Sequence, residues 1–342
     1  MGWDRPIPDR PVVAIVGVTG AVGREMLAVL EQRSFPLSRV VALASKRSAG
    51  TTVPFAGTDL VVEEMTESSF ADVDIALFSA GASVSRRFRD AVVGAGCVMI
   101  DNSSAFRMED DVPLVVPEVN AEDISLHSGV IANPNCSTIQ MVVALAPLHA
   151  LAPIRRVVVS TYQAASGAGA AAMEELYGQT RDFLEGTPLE PEQFAHRIAF
   201  NCIPQIDVFL DDGSTKEEWK MSVETKKIMH APELAVHATC VRVPVLRCHS
   251  EAVNIEFGRS VSLEDVRSAL EAAPGISLIG DTSAFEYPMP ADLEGTDDTY
   301  IGRLRMDRTV PSGISMWVVA DQLRKGAALN TVQIAETLLG IG

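Results

Sequence analysis

The chain has 342 residues, of which 47% are hydrophobic and 21% charged, with 45 acidic against 28 basic side chains and a formal charge of −17. That length exceeds one ordinary core and predicts two domains. The acidic balance argues against a nucleic-acid or anionic-membrane surface as the main partner, and no apolar run approaches the ~20 residues of a membrane span.

In chain order, the start "MGWDRPIPDRP" has early acids and prolines and no apolar core, so no signal peptide is expected and the cytoplasm is the expected location. Four buried-strand runs follow: "VVAIVGV" (12–18), "VVALAS" (40–45), "DIALFSA" (74–80) and "CVMIDNS" (97–103). Helical patterns at 21–33 and 84–95 separate them, and this alternation predicts a parallel α/β sheet. From about residue 154 the texture changes to longer runs with partial alternation: "RRVVVSTYQAAS", "ATCVRVPVL", "EAVNIEFG", "DTYIGRLRMD" and "GISMWVVADQL". Helices are expected at 169–185, 215–230 and 262–273, giving an α+β domain with a mostly antiparallel sheet. The closing stretch 329–341 has helical spacing and is expected to pack back on the first domain. The predicted division is 1–136, completed by 322–342, and 137–321. Loops are expected at 186–197 and 286–298.

Gly17, Gly20 and Gly23 stand where the first strand meets the first helix, spaced G-x-x-G-x-x-G. Glycines there allow a tight turn and let backbone amides approach a pyrophosphate at a helix N-terminus; a plain packing turn is the alternative. After the second strand, where an NAD site usually carries an acid, the sequence reads "ASKRSAG". Ser45, Lys46, Arg47 and Ser48 suit a 2′-phosphate, so NADP is the favoured cofactor over a solvated basic loop.

"ANPNCSTIQM" places Cys136 in the first turn of a helix. It is either a buried filler or a thiolate held by the helix dipole, beside amides that can serve an oxyanion. A thiol beside a nicotinamide implies a thiohemiacetal that yields hydride and leaves a thioester, to be discharged by water, coenzyme A or phosphate. "DNSSAFRM" offers Asn102, Ser103, Ser104 and Arg107 as an anion cradle, or is an ordinary polar loop. "TKEEWKM" puts Glu217 and Lys220 on one helix face, which taken alone reads as a surface ion pair. Arg242 and His249 flank "VPVLRC", and His249 is a candidate acid–base. The five cysteines (97, 136, 202, 240, 248) form no C-x-x-C pair, which fits free thiols in a reducing compartment, and no metal site is expected.

These blocks together resemble aspartate-semialdehyde dehydrogenases along nearly the whole chain. "GVTGAVG" resembles that family's G-A-T-G-A-V-G, with Val18 in place of alanine. "SKRSAG", "DNSSAFR", "NPNCSTIQ", "TYQAASGAG", "KEEWKM", "RVPVLRCHSE" and "DQLRKGAALNTVQIAE" follow in the family's order. The resemblance implies Cys136 as nucleophile and His249 as acid–base catalyst. It implies Gln163, Glu217 and Arg242 for the substrate, Arg107 and Lys220 for phosphate. The implied NADP contacts are Gly17, Thr19, Gly20, Ala21, Val22, Arg47, Ser48, Ser166, Gly167 and Gln322. The implied fold is a Rossmann-type NADP-binding domain plus a catalytic and dimerisation domain, in a homodimer. The implied reaction is reversible, phosphate-dependent oxidation of L-aspartate 4-semialdehyde to 4-aspartyl phosphate, in biosynthesis of lysine (with diaminopimelate), threonine and methionine. N-acetyl-γ-glutamyl-phosphate reductase is the nearest rival, but its usual H-P-G-C-Y-P-T block differs from "NPNCSTIQ". A non-catalytic NADP-binding paralogue should lack the cysteine or histidine, and both are here. The ten residues before Pro11 lie outside the resemblance.

Overall fold

The computed structural model describes Trp3, 5–280 and 282–341, and the chain divides into two compact units, Met1–Asn135 with Ala327–Gly342, and Cys136–Gly326. The first unit holds β1 (Val12–Val16), α1 (Ala21–Gln32), β2 (Arg39–Ala44), β3 (Thr52–Phe55), β4 (Thr58–Val61) and β5 (Glu63–Glu64). It continues with β6 (Ile75–Phe78), α2 (Ala82–Gly94), β7 (Val98–Asp101), α3 (Pro117–Asn120) and β8 (Val130–Ala132). Its main sheet runs β5-β2-β1-β6-β7-β8, and every pairing in it is parallel. The order reverses between β1 and β6, the switch point at which open parallel sheets bind ligands beyond the strand ends. β6 and β7 are buried throughout, as strands covered on both faces must be, which is why their sequences read as unbroken apolar runs.

The second unit holds α4 (Cys136–Leu151), β9 (Ile154–Gln163), α5 (Ala170–Glu185), α6 (Lys216–Ile228), β10 (Ala235–Arg242) and β11 (His249–Phe257). After these come α7 (Leu263–Glu271), β12 (Ile276–Leu278), β13 (Thr299–Met306) and β14 (Gly313–Ala320). Its sheet runs β10-β9-β11-β14-β13-β12. The centre is antiparallel and both edges are parallel pairs, so the sheet is mixed and, as expected, mostly antiparallel. α4 fills the core beneath it. Ile139, Met141, Val142, Val143, Leu145 and Leu148 are buried, worth about 1.5–3 kcal/mol each. A helix apolar on every side has to be internal.

The closing helix α8 (Leu329–Leu338) returns to the first unit. Arg33 grips Glu336 through two hydrogen bonds of 2.7 Å, and Asn330 Nδ2 donates to Asn133 Oδ1 at 2.7 Å. The return begins at Ala327, not 322, and the first unit ends one residue before Cys136. Both differences have a cause in packing: Cys136 opens a helix of the second unit, and Gln322 is bonded to Cys248 there. The lead segment is also used, since Trp3 and Ile7 pack on the first unit's core and Arg5 Nη1 donates to Ala95 O at 2.5 Å.

The strands β1, β2, β6 and β7 stop one or two residues before the ends of the apolar runs that predict them. The residues left over begin the loops that follow, and those after β1 and β6 flank the switch point. The hairpin β3–β4 and the short β5, β8 and β12 have too little pattern to be read from sequence.

Candidate active site

In the first unit the nucleotide loop is built by close approach. Gly17 has φ +85°, and a Cβ there would lie 2.4 Å from Ser79 O; a Cβ on Gly23 would lie 2.4 Å from Gly17 O. Gly20 caps α1 with no side-chain cap, and the first turn, Ala21 to Arg24, carries no acid. The positive helix end is therefore left to an anion. Val18 is fully buried, so its extra bulk points into the core and not at the loop's mouth. Arg24 Nε donates to Thr19 O at 3.2 Å. "SKRSAG" forms a turn in which Ser48 N donates to Ser45 O at 2.9 Å and Arg47 is exposed. Arg107 is buried, its Nε on Asn133 O at 3.0 Å and its Nη2 on Asn102 O at 2.8 Å.

In the second unit the strand register brings the predicted residues together. Arg242 pairs with Gln163 across β10 and β9. β11 runs antiparallel with Ser250 opposite Tyr162, so His249, at its first residue, falls at the same sheet end. Gln163 is buried, with Nε2 on Thr161 Oγ1 at 3.2 Å and Glu217 Oε1 at 3.4 Å. The Arg242 guanidinium donates through Nη1 to Ala164 O at 2.7 Å and lies 5.9 Å from the Phe194 ring centroid. Burial lowers its pKa from the usual value, while charge on Cys136 and Glu217 works in the opposite direction. His249 is completely buried. Its Nδ1 accepts from Ala164 N at 3.1 Å, and since a backbone N–H can only donate, the proton of the neutral ring lies on Nε2. Burial first, and the Arg242 charge second, hold its pKa well below the ordinary histidine value.

Cys136 is the first residue of α4. Gly326, in the π-helical turn Arg324–Ala328, lies so close that a Cβ there would be 2.8 Å from Cys136 Cβ. Gly167 stands against the other catalytic candidates, since a Cβ on it would meet Arg242 Nη1 at 2.9 Å and His249 Nε2 at 3.1 Å.

Glu217 and Lys220 are not the surface pair that their spacing alone suggests. Glu217 is 5% exposed, and Lys220 Nζ sits 3.2 Å from Glu217 and 2.7 Å from Asp207. Burial alone would lower the Lys220 pKa, but the Glu217 and Asp207 charges outweigh it and the ammonium is raised. Asp207 has no sequence motif; it reaches this position on a left-handed turn, φ +68°. Ser166 and Gln322, both expected at the cofactor, are buried and bonded to each other, and Gln322 Oε1 accepts from Cys248 N at 2.8 Å. Gln322 thus ties down the residue before His249. Cys240 and Cys248 are no rivals to Cys136 as thiolates: burial raises both, that of Cys248 to about 12.

Residues 12–127 match the family described as "Semialdehyde dehydrogenase, NAD binding domain", and 145–325 that described as "Semialdehyde dehydrogenase, dimerisation domain". The two units are thus those of a semialdehyde dehydrogenase. The aspartate-semialdehyde dehydrogenase of Aquifex aeolicus is 54% identical over 334 residues, 96% of this chain and 98% of that one. A crystal structure of aspartate semialdehyde dehydrogenase II of Vibrio cholerae complexed with ASA superposes with a TM-score of 0.95 at 49% identity, covering 97% of this chain and 98% of that one. The Candida albicans enzyme with NADP superposes with a TM-score of 0.76 at 26% identity, covering 97% and 100%. The chain belongs to the aspartate-semialdehyde dehydrogenase family.

Proposed function

We propose that this chain interconverts L-aspartate 4-semialdehyde and 4-aspartyl phosphate, with NADP and phosphate, through a thioester on Cys136. The observation that carries the reading is the convergence of Gln163, Arg242 and His249 at one sheet end in the unit whose first residue is Cys136. The relatives' names support the semialdehyde reading and lend none to the N-acetyl-γ-glutamyl-phosphate reductase alternative.

In the biosynthetic direction the Cys136 sulfur, favoured as thiolate by the helix start, attacks the acyl carbon and the carbon–oxygen bond to phosphate breaks. Lys220 and Arg107 hold the departing phosphate, Lys220 exchanging Asp207 for it. The nicotinamide, when bound, would supply a hydride to that carbon as NADPH in this direction and would accept it as NADP in the other. His249 Nε2–H donates to the carbonyl oxygen as it gains negative charge, in the space that the missing Gly167 side chain leaves open. The oxyanion then re-forms the carbonyl and expels the Cys136 thiolate, releasing the semialdehyde. Arg242 holds the α-carboxylate with its planar fork, Glu217 the α-ammonium, and Gln163 orients the reacting end.

The glycine turn at 17–23, the uncapped α1 and the basic turn at Arg47–Ser48 fit a pyrophosphate and a 2′-phosphate, which supports NADP. A homodimer is supported by the match of residues 145–325 to a family described as a dimerisation domain. The five free thiols support a reducing cytoplasm, and among the described residues no helix is long and apolar enough to cross a membrane. NADPH formation from aspartate semialdehyde, with and without phosphate, tests the proposal; turnover that ignores phosphate would defeat it.

A further inference from the structure

Beneath the row formed by Gln163, Arg242 and His249 lies a second one. Two residues along each strand, Thr161 pairs with Cys240 on one side and with Glu251 on the other, so all three share the face of the first row. Thr161 accepts from Gln163 and Cys240 packs on Met221. Glu251 has no such place in the reaction. It is fully buried, and neither carboxyl oxygen has a hydrogen-bond partner of proper geometry; nor has Oε1 of Gln140. Gln140 is the group whose side chain reaches that carboxyl, and its Nε2 donates to the backbone carbonyl of His249 at 3.4 Å. It stands four residues after Cys136 on α4, hence on the same face of the helix.

An ionised carboxylate buried here with no cation beside it would cost several kcal/mol. One proton gives partners to two of the three orphaned atoms and removes the charge from the third: a neutral Glu251 donates its O–H to Gln140 Oε1 and leaves Gln140 Nε2 turned to His249. We propose that Glu251, as the neutral acid, and Gln140 are positioning residues that lock the start of β11, and with it the His249 imidazole, to the helix that begins at Cys136. Burial, opposed by Gln140, holds the Glu251 acid well above the ordinary glutamate range. The inference rests on the catalytic reading of Cys136 and His249.

The test is a thermodynamic cycle through His249. E251Q restores a neutral donor of the same shape and should turn over within about threefold of wild type. E251M and Q140M leave the partner orphaned and should lower kcat about 10- to 100-fold through misplacement of the imidazole, with the KM for NADP unchanged. In an H249N background, E251M should cost less than about twofold more, because its effect runs through a ring already removed. Melting temperatures identify any variant that fails to fold; E251Q and Q140M carry the test if E251M is one. The proposal is overturned if E251Q falls as far as E251M, or if the E251M loss persists in full in H249N. H249N turning over at the wild-type rate would instead overturn the catalytic reading of His249 on which the proposal stands.

Discussion

Gly167→Ala tests the catalytic geometry at one methyl group. The backbone of Gly167 is not in the left-handed region, so alanine is free to adopt it. Its Cβ would nonetheless stand 2.9 Å from Arg242 Nη1 and 3.1 Å from both Cε1 and Nε2 of His249, where ordinary contacts begin near 3.4 Å. Neither neighbour can give way freely: Arg242 is tied to Ala164 O at 2.7 Å and His249 to Ala164 N at 3.1 Å. The added methylene should cost about 1–3 kcal/mol of stability, or roughly 2–12 °C in Tm for a unit of this size. The larger effect is on rate, since the methyl occupies the space in front of the Nε2 proton. Losing one oxyanion donor costs about 100- to 1,000-fold in kcat, and the same is expected here. Steady-state titrations of semialdehyde, phosphate and NADP, with iodoacetamide labelling of Cys136 as a control for an intact thiolate, measure it. A kcat within about threefold of wild type, or a defect confined to the KM for NADP, would refute the placement of the reacting oxygen at His249.

Cys136→Ser should abolish the covalent acyl adduct seen by mass spectrometry in the wild type and reduce turnover by several orders of magnitude, with NADP binding intact. Arg47→Ala removes a charge-assisted contact worth about 1.5–3 kcal/mol, so the Kd for NADP should rise about 10- to 100-fold while that for NAD stays put. Arg242→Lys should raise the semialdehyde KM and lower kcat, whereas Lys220→Ala should raise the phosphate KM most; two substrate titrations on each variant separate them, and the reverse pattern would undo the assignment. The folded chain keeps a proton on Glu251 that the unfolded chain releases above about 4.5, the ordinary glutamate value, so this group costs stability as pH rises from there. Glu251→Gln should therefore melt higher than wild type at pH 8, by a margin that narrows toward pH 4.

What could be read from the sequence was carried by signals a few residues long. The glycine turn at 17–23 and the thiol at the start of α4 are local devices, legible because strand, turn and helix start follow one another in the chain. The apolar runs of β1, β6 and β7 announce strands buried on both faces, whatever their neighbours. The roles of Gln163 and Arg242 came with the resemblance, and His249 was a candidate acid–base on its chemistry alone; their meeting depends on which residue of β9 faces which of β10 and β11. A slip of one position would turn each of them to the opposite face. Burial was equally invisible. Glu217 and Lys220 read as a surface pair because i,i+3 spacing shows that two side chains share a helix face but not what covers it, and Asp207 reaches Lys220 only through the path of a loop. Gly326 sits in the block "DQLRKGAALNTVQIAE" with no role read for it, yet it is held to glycine by Cys136. Glu251 looked like one more polar residue in an alternating strand. The tertiary structure buried it without a charged partner, because pairing and packing, which join distant residues, decide where a polar atom ends up.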